Sequence, residues 1–285
     1  MNNPFSTYHP AVAFAFLACA IALSMAALQP VISAISLAGA FACACVTRGR
    51  RHALRMLGFV AVAAVVVAAA NMVFSSNGET ALFRLAGRAF TFESLVYGLC
   101  SGLMLASVLL WFSSFSACIG SDASMALFGR AAPTVALMVS QVMRLVPQFV
   151  SRGRDVMAVQ AAVSAAAADT KRAVAADRLR AVSVLAGWGL EDGLVRGDAM
   201  RSRGYGCGVR RTTYRRYRIR RADAAVIAAT LALAALSAAG EAAAMCGFSF
   251  YPVLAGLAPW WAYLPYVLFM AVPAGLVLRE RLLWR

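Results

Sequence analysis

Hydrophobic residues along this chain fall in long runs separated by short polar clusters, not at the one-faced spacing of a soluble domain. Six runs approach or exceed the ~20 residues a helix needs to cross a bilayer core. They are Ala11 to Leu28, Val31 to Val46, Met56 to Phe74, Phe92 to Cys118, Asp223 to Met245 and Tyr263 to Leu278. The second and sixth are short, and Gln29-Pro30 reads as the turn between the first two. The opening run has the length of a signal peptide. Met1 to Pro10 carries no positive charge, however, and a second run follows at once, so an uncleaved first span is expected.

Between residues 119 and 222 the pattern changes. Val135, Met138, Val139, Val142, Val146, Phe149 and Val150 recur at helical spacing, opposite Gln141, Arg144 and Gln148. This amphipathic stripe over residues 134–150 is expected to lie along a membrane surface or a partner helix. A re-entrant or tilted seventh span is the alternative. The Ala-rich stretch Ser164 to Asp177 reads as a turn, and a second helix is expected from about Arg178 to Arg203. Val184, Leu185, Trp188, Val195 and Ala199 mark one side of it; Glu191, Asp192, Arg196 and Arg201 mark the other. Gly187, Gly189, Gly193 and Gly197 each weaken that helix by about 1 kcal/mol relative to Ala. Close crossing of two helices at small residues would explain their presence. The pattern predicts an all-α polytopic membrane protein with about six transmembrane helices and two long crossing cytoplasmic helices. Its organisation is 1–118, 119–221 and 222–285.

Composition agrees: 62% of residues are hydrophobic and 14% charged, against about a quarter charged in soluble domains. The net charge of +15 raises the question of nucleic acid, and its distribution answers it. Eighteen of the 27 basic residues lie between Ile119 and Ala222, with further clusters at Arg48 to Arg55 and Arg279 to Arg285. Clusters between apolar runs set topology by the positive-inside rule, whereas nucleic acid would require a soluble basic face with stacking aromatics. No nucleic-acid partner is expected. The clusters place both termini and residues 119–221 in the cytoplasm of a multi-pass plasma-membrane protein. The 75–91 and 247–262 loops fall outside, with Trp260, Trp261 and Tyr263 as an interfacial belt.

Candidate chemistry is sparse. The seven cysteines include no CxxC pair, and two histidines give no metal-ligand cluster. No GxxxxGK[ST] loop is present, so no cofactor is expected in this chain and any ATP must be bound by another. Glu241, in the fifth run, invites a proton-relay reading; its place near the outer end favours a solvated helix-end carboxylate. Asn71 suits a hydrogen bond across helices or the outer water boundary, and Glu93 suits a helix N-terminus. A channel or secondary transporter, or a membrane enzyme acting on lipids, is the competing class. The first wants inverted repeats and polar residues within the membrane. The second wants a cluster of polar groups at the interface, and neither pattern is evident.

The sharpest local feature is Asp198-Ala199-Met200-Arg201-Ser202-Arg203-Gly204-Tyr205, which closes the second cytoplasmic helix. An arginine there complements the helix dipole, and Gly204 suits the left-handed cap. On those grounds alone the segment is a well-made helix end, or a basic anchor for lipid headgroups. It also resembles the Ala-Met-Glu-Ala-Arg-Gly-Tyr signature of the transmembrane (T) component of energy-coupling factor (ECF) transporters, the EcfT/CbiQ family. Tyr8-His9-Pro10, Phe92-Glu93-Ser94-Leu95, Val142-Met143-Arg144-Leu145-Val146-Pro147 and Arg211-Thr212 are similar to other segments of that family, in the same order.

The resemblance implies a non-catalytic subunit of an ATP-driven importer of vitamins or transition-metal ions. Its partners would be two ATP-binding ABC subunits, a substrate-binding S component and the bilayer. Two cytoplasmic coupling helices would cross in an X, each ending in an arginine motif that docks on one ATPase. The second motif maps onto Ser202, Arg203 and Gly204. The first maps onto Ala161, Ala162 and Val163, where arginine is missing. The resemblance therefore implies apolar docking at that end, or a basic contact from Arg152 or Arg154.

Overall fold

The computed structural model describes residues 8–74, 80–85, 88–129, 132–163, 171–208, 220–251, 256 and 259–283. The described chain is helical apart from one hairpin, and it divides into two compact units. Met1–Leu127 with Tyr217–Arg285 form the first, and Phe128–Arg216 the second.

The first unit holds α1 (Pro10–Ala26), α2 (Pro30–Arg48), α3 (Arg50–Phe74), α4 (Phe92–Cys118), α8 (Arg221–Cys246) and α9 (Leu264–Leu283). A short helix, α5 (Ser121–Phe128), follows α4. The second unit holds α6 (Pro133–Val163) and α7 (Lys171–Ser202). Among the described residues, five helices are long and apolar enough to cross a membrane: α2, α3, α4, α6 and α8. α1 and the apolar part of the last helix are shorter. The set differs from the sequence expectation at α6. The stripe expected to end at Val150 continues through Pro147 to Val163 as one helix, and none of its residues is buried.

Local chemistry sets the helix ends. Pro10 and Pro30 open α1 and α2, where a missing N–H costs nothing. His9 caps α1, its Nδ1 accepting from the Ala11 amide at 3.1 Å. Gly49 breaks α2 from α3 at φ +87°, a backbone that side chains resist. The expected 75–91 loop contains an antiparallel hairpin, β1 (Ala81–Leu85) with β2 (Arg88–Thr91). Its Phe-Arg-Leu and Arg-Ala-Phe segments are too short for a periodicity signal to stand out.

Within this unit α4 packs on α1, α2 and α3, while α8 packs on α1 and α9, and α9 also on α2. Small residues make the closest approaches. A Cβ on Gly102 would lie 2.6 Å from the Ala64 carbonyl oxygen, and one on Gly98 would lie 2.9 Å from that of Ala68. α3 and α4 therefore touch backbone to backbone, as membrane helices without a hydrophobic driving force commonly do. In the centre Phe16 of α1 stacks on Phe269 of α9 at 4.9 Å and meets Trp111 of α4 edge-on at 6.1 Å. Much of α3 faces outward with apolar side chains, including Phe59, Val62, Val65 and Val66. Such a surface suits hydrocarbon and not water.

The connections gather at two ends. At one, the His9 amide donates to Asp223 at the start of α8 (3.4 Å), and the Arg48 Nε donates to the Ser113 carbonyl on α4 (3.0 Å). At the other, Gln29 Nε2 donates to the Tyr263 hydroxyl (2.8 Å), and Tyr97 packs edge-on against Phe250 at 5.1 Å. The first end carries Arg48 and Arg50, and the second Phe250 and the turn Trp260–Tyr263.

Candidate functional site

α6 and α7 run antiparallel. Gln141 Nε2 lies 3.3 Å from the Met200 sulfur, Arg196 Nη2 donates to Gln148 Oε1 at 2.6 Å, and Phe149 packs against Trp188 at 5.1 Å. Arg152 lies over the Trp188 ring, 3.7 Å from its centroid. From Gln141 to Arg152 the seam covers about 16 Å of α6 at 1.5 Å per residue, longer than a point crossing.

The faces do not divide as the sequence suggested. Arg196, on the polar side of α7 by pattern, reaches the seam at Gln148 and is ion-paired with Asp192 at 2.6 Å. Val184 and Val195 are instead exposed. On α6 the polar side bearing Gln141 and Gln148 meets α7. The stripe of Val135, Met138, Val139, Val142, Val146 and Val150 stays exposed. An isolated pair in water would turn these faces the other way, because burying apolar area is the larger gain. Phe149 and Trp188 enter the seam from the two apolar sides, but the rest of the α6 stripe is left as apolar surface for something beyond the pair.

The four glycines of α7 also separate. A Cβ on Gly189 would lie 2.6 Å from Phe149 Cζ, whereas Gly187, Gly193 and Gly197 face nothing within 4 Å. Only Gly189 belongs to the close approach that pattern assigned to all four. The turn expected over Ser164 to Asp177 is narrower, since α7 already begins at Lys171. Residues 164–170 and the Arg211-Thr212 pair lie outside the described residues.

α7 ends in a complete cap. Gly204 adopts φ +83°, the Tyr205 amide donates to the Met200 carbonyl at 3.0 Å, and the Gly204 amide donates to Arg201 at 3.0 Å. That pair of bonds is the Schellman arrangement, with glycine at the left-handed position. Ser202 donates back to the Ala199 carbonyl at 3.0 Å. Arg203 is the last residue before the reversal. It is exposed, and it makes no hydrogen bond or ion pair among the described residues. Its backbone is held by the cap, while its guanidinium meets no partner among the described residues. Gly206 and Gly208 also have positive φ, so the chain beyond the cap turns tightly with little side-chain bulk.

Ala161, Ala162 and Val163 are the exposed last residues described in α6, with Val163 82% exposed. The antiparallel arrangement puts them and Arg203 beyond opposite ends of the seam. Of the two nearby arginines, Arg152 is engaged on Trp188 while Arg154 is exposed.

In the bundle, Glu241 is a correction. It is buried at 4% exposure and is not a solvated helix end. Glu241 follows Ser237 and Ala234 on the side of α8 turned into the bundle. Asn71 takes the cross-helix option, 3.5 Å from Ser101 Oγ. Glu93 opens α4 as expected, but is buried and accepts from the Thr80 amide and hydroxyl. Asp223, which the sequence reading treated only as a boundary, accepts from the amides of His9 and Arg220. An acidic residue at the third position of a helix is the signal that would have found it. Among the described residues no three His, Cys, Asp or Glu side chains gather into a metal site. No protein-family model matches the chain, and no curated protein matches it.

Proposed function

We propose that this chain is the energy-coupling transmembrane subunit of an ECF-type ABC importer, of the EcfT/CbiQ kind. In this reading two ATP-binding ABC subunits grip the ends of α6 and α7 on the cytoplasmic side. Their ATP-driven closure and opening moves the pair, and the pair moves a substrate-binding S component in the same plasma membrane. The cargo class is a vitamin or a transition-metal ion, and the chain itself performs no catalysis. Six spans carry the chain across the membrane, with both termini in the cytoplasm.

One observation carries the reading: Arg203 is displayed, uncommitted, at the rigid capped end of a long paired helix. The sequence around it resembles the family's docking signature. An arginine on a fixed backbone loses less freedom when it pairs with an acidic groove than one on a loose loop. The exposed stripe of α6 adds support, since a moving S component or membrane surface would cover it. The test is co-purification of the ABC subunits with the wild-type chain and with Arg203→Glu, alongside uptake. The charge-reversed chain should insert normally, yet lose both the ATPases and transport. Undiminished co-purification and uptake would exclude docking through Arg203.

A channel or secondary transporter is the second reading, and the buried Glu241 is the observation in its favour. Transport that persists without any ABC subunit would decide for it.

A further inference from the structure

Glu241 lies in the last two turns of α8, at the end of the bundle that carries the aromatic loops. Among the described residues neither of its carboxylate oxygens has a hydrogen-bond partner. The preceding residue fixes this turn in place: a Cβ on Gly240 would lie 2.6 Å from the Ala262 carbonyl oxygen. From α9, Tyr266 brings a buried hydroxyl within electrostatic reach of Glu241 and of Ser24 and Ser36, without closing a hydrogen bond. Ser24 and Ser36 bond each other at 2.7 Å, bridging α1 and α2. Ser33, one turn earlier in α2, is a further buried hydroxyl without a partner. Glu241, Tyr266, Ser24 and Ser36 thus turn polar groups into the bundle from four helices.

No side chain of opposite charge among the described residues pairs with the carboxylate. Among the described residues the ion pair is Arg196–Asp192, in the other unit. The groups placed near Glu241 are Tyr266 from α9 and, against Gly240, the 3-10 turn Trp260–Tyr263, whose Tyr263 hydroxyl is held by Gln29. A bare carboxylate enclosed in this way is strongly disfavoured. Two open acceptors, with the partnerless Tyr266 hydroxyl in electrostatic reach, are what a ligand donating positive charge would complete.

We propose that Glu241, with Tyr266 and the Ser24–Ser36 pair, is a binding site for one positive charge, taken up as a proton or as an alkali cation such as Na+. With a proton, the carboxyl becomes a neutral acid that donates to a neighbouring hydroxyl oxygen and accepts in return. With an alkali cation, one carboxylate and neutral hydroxyls supply hard oxygen ligands and cancel a single charge. A divalent ion would keep a surplus charge in the bundle. The site is independent of Arg203 and lies on the aromatic-loop side, so it would respond to ions there whether or not ABC subunits dock.

The test is infrared spectroscopy of the full-length chain in phosphatidylcholine nanodiscs, in NaCl and in choline chloride, for wild type, Glu241→Gln and Tyr266→Phe. A protonated-carboxyl stretch at neutral pH that is lost in Glu241→Gln and indifferent to Na+ identifies the proton. A carboxylate band that shifts with NaCl but not with choline, and shifts less in Tyr266→Phe, identifies the alkali cation. If Glu241→Gln does not fold, Glu241→Asp keeps the acid, and the assigned band must move and not vanish. A wild-type spectrum in which Glu241 is an ordinary carboxylate, insensitive to Na+ and without a protonated band, overturns the proposal.

Discussion

The Phe149 ring occupies the space a side chain on Gly189 would need, with its Cζ 2.6 Å from where a Cβ would stand. Gly189→Ala should therefore loosen the α6–α7 pair by about 1–3 kcal/mol, the usual cost of overpacking. The same change at Gly193 or Gly197, which face open space, should firm α7 by up to about 1 kcal/mol. Amide hydrogen exchange across 141–163 and 185–202 in the full-length chain reads both. Equal effects at all three positions would contradict the assigned seam.

The cap after Arg203 gives a sharper substitution. Gly204→Ala places a Cβ on a backbone at φ +83°, which costs about 1–2 kcal/mol for an L-residue. Gly204→Asn should be far milder, because asparagine accepts that conformation. The expected result is faster exchange of the Gly204 and Tyr205 amides in Gly204→Ala, with weaker ATPase retention although Arg203 is still present. Retention equal in both variants would mean that the fixed backbone does not contribute to docking.

Salt separates the two ends. A contact made by exposed Arg203 should weaken as the Debye length falls from about 10 Å at 0.1 M to about 3 Å at 1 M. A contact made by Ala161, Ala162 and Val163 should not. Ala162→Asp should disrupt the apolar end by burying an unpaired charge. ABC-subunit retention across a salt series, for wild type, Arg203→Ala and Ala162→Asp, measures this. Wild-type retention by Ala162→Asp at every salt concentration would move the first contact to Arg154, since Arg152 is engaged with Trp188.

Sidedness follows from charge and is directly measurable. A cysteine introduced at Ser76 should react with an impermeant maleimide from outside intact cells, and one at Arg172 only after permeabilisation. The opposite pattern would invert the proposed topology.

The bundle was legible because long apolar runs and arginine clusters are one-dimensional signals that need no partner. Gly204 was legible for a related reason: its left-handed cap depends on the few residues before it. The seam was not. Which face of α7 meets α6 depends on α6, and pairing Arg196 with Gln148 and Asp192 overrode the apolar pattern of Val184 and Val195. Glu241 failed for the same reason. Its height along α8 follows from counting residues, but its orientation is set by contact with α1 and α9. The hairpin at Ala81–Thr91 was missed because each strand is shorter than the window in which alternation can be recognised.

The antiparallel arrangement of α6 and α7 makes the pair a ruler. Ala162 lies about 20 Å beyond Phe149 along α6, and Arg203 about 22 Å beyond Trp188 in the other direction along α7, at 1.5 Å per residue. An α-helix does not stretch appreciably, because every turn is closed by its own hydrogen bonds. If ABC subunits hold the two tips as proposed, they cannot change the spacing by lengthening the rod between them. Their approach or separation must appear as rotation of the rod or as sliding along the Phe149–Trp188 contact. In that case the bulk at Phe149 against the bare backbone at Gly189 is the contact such a motion would have to turn on.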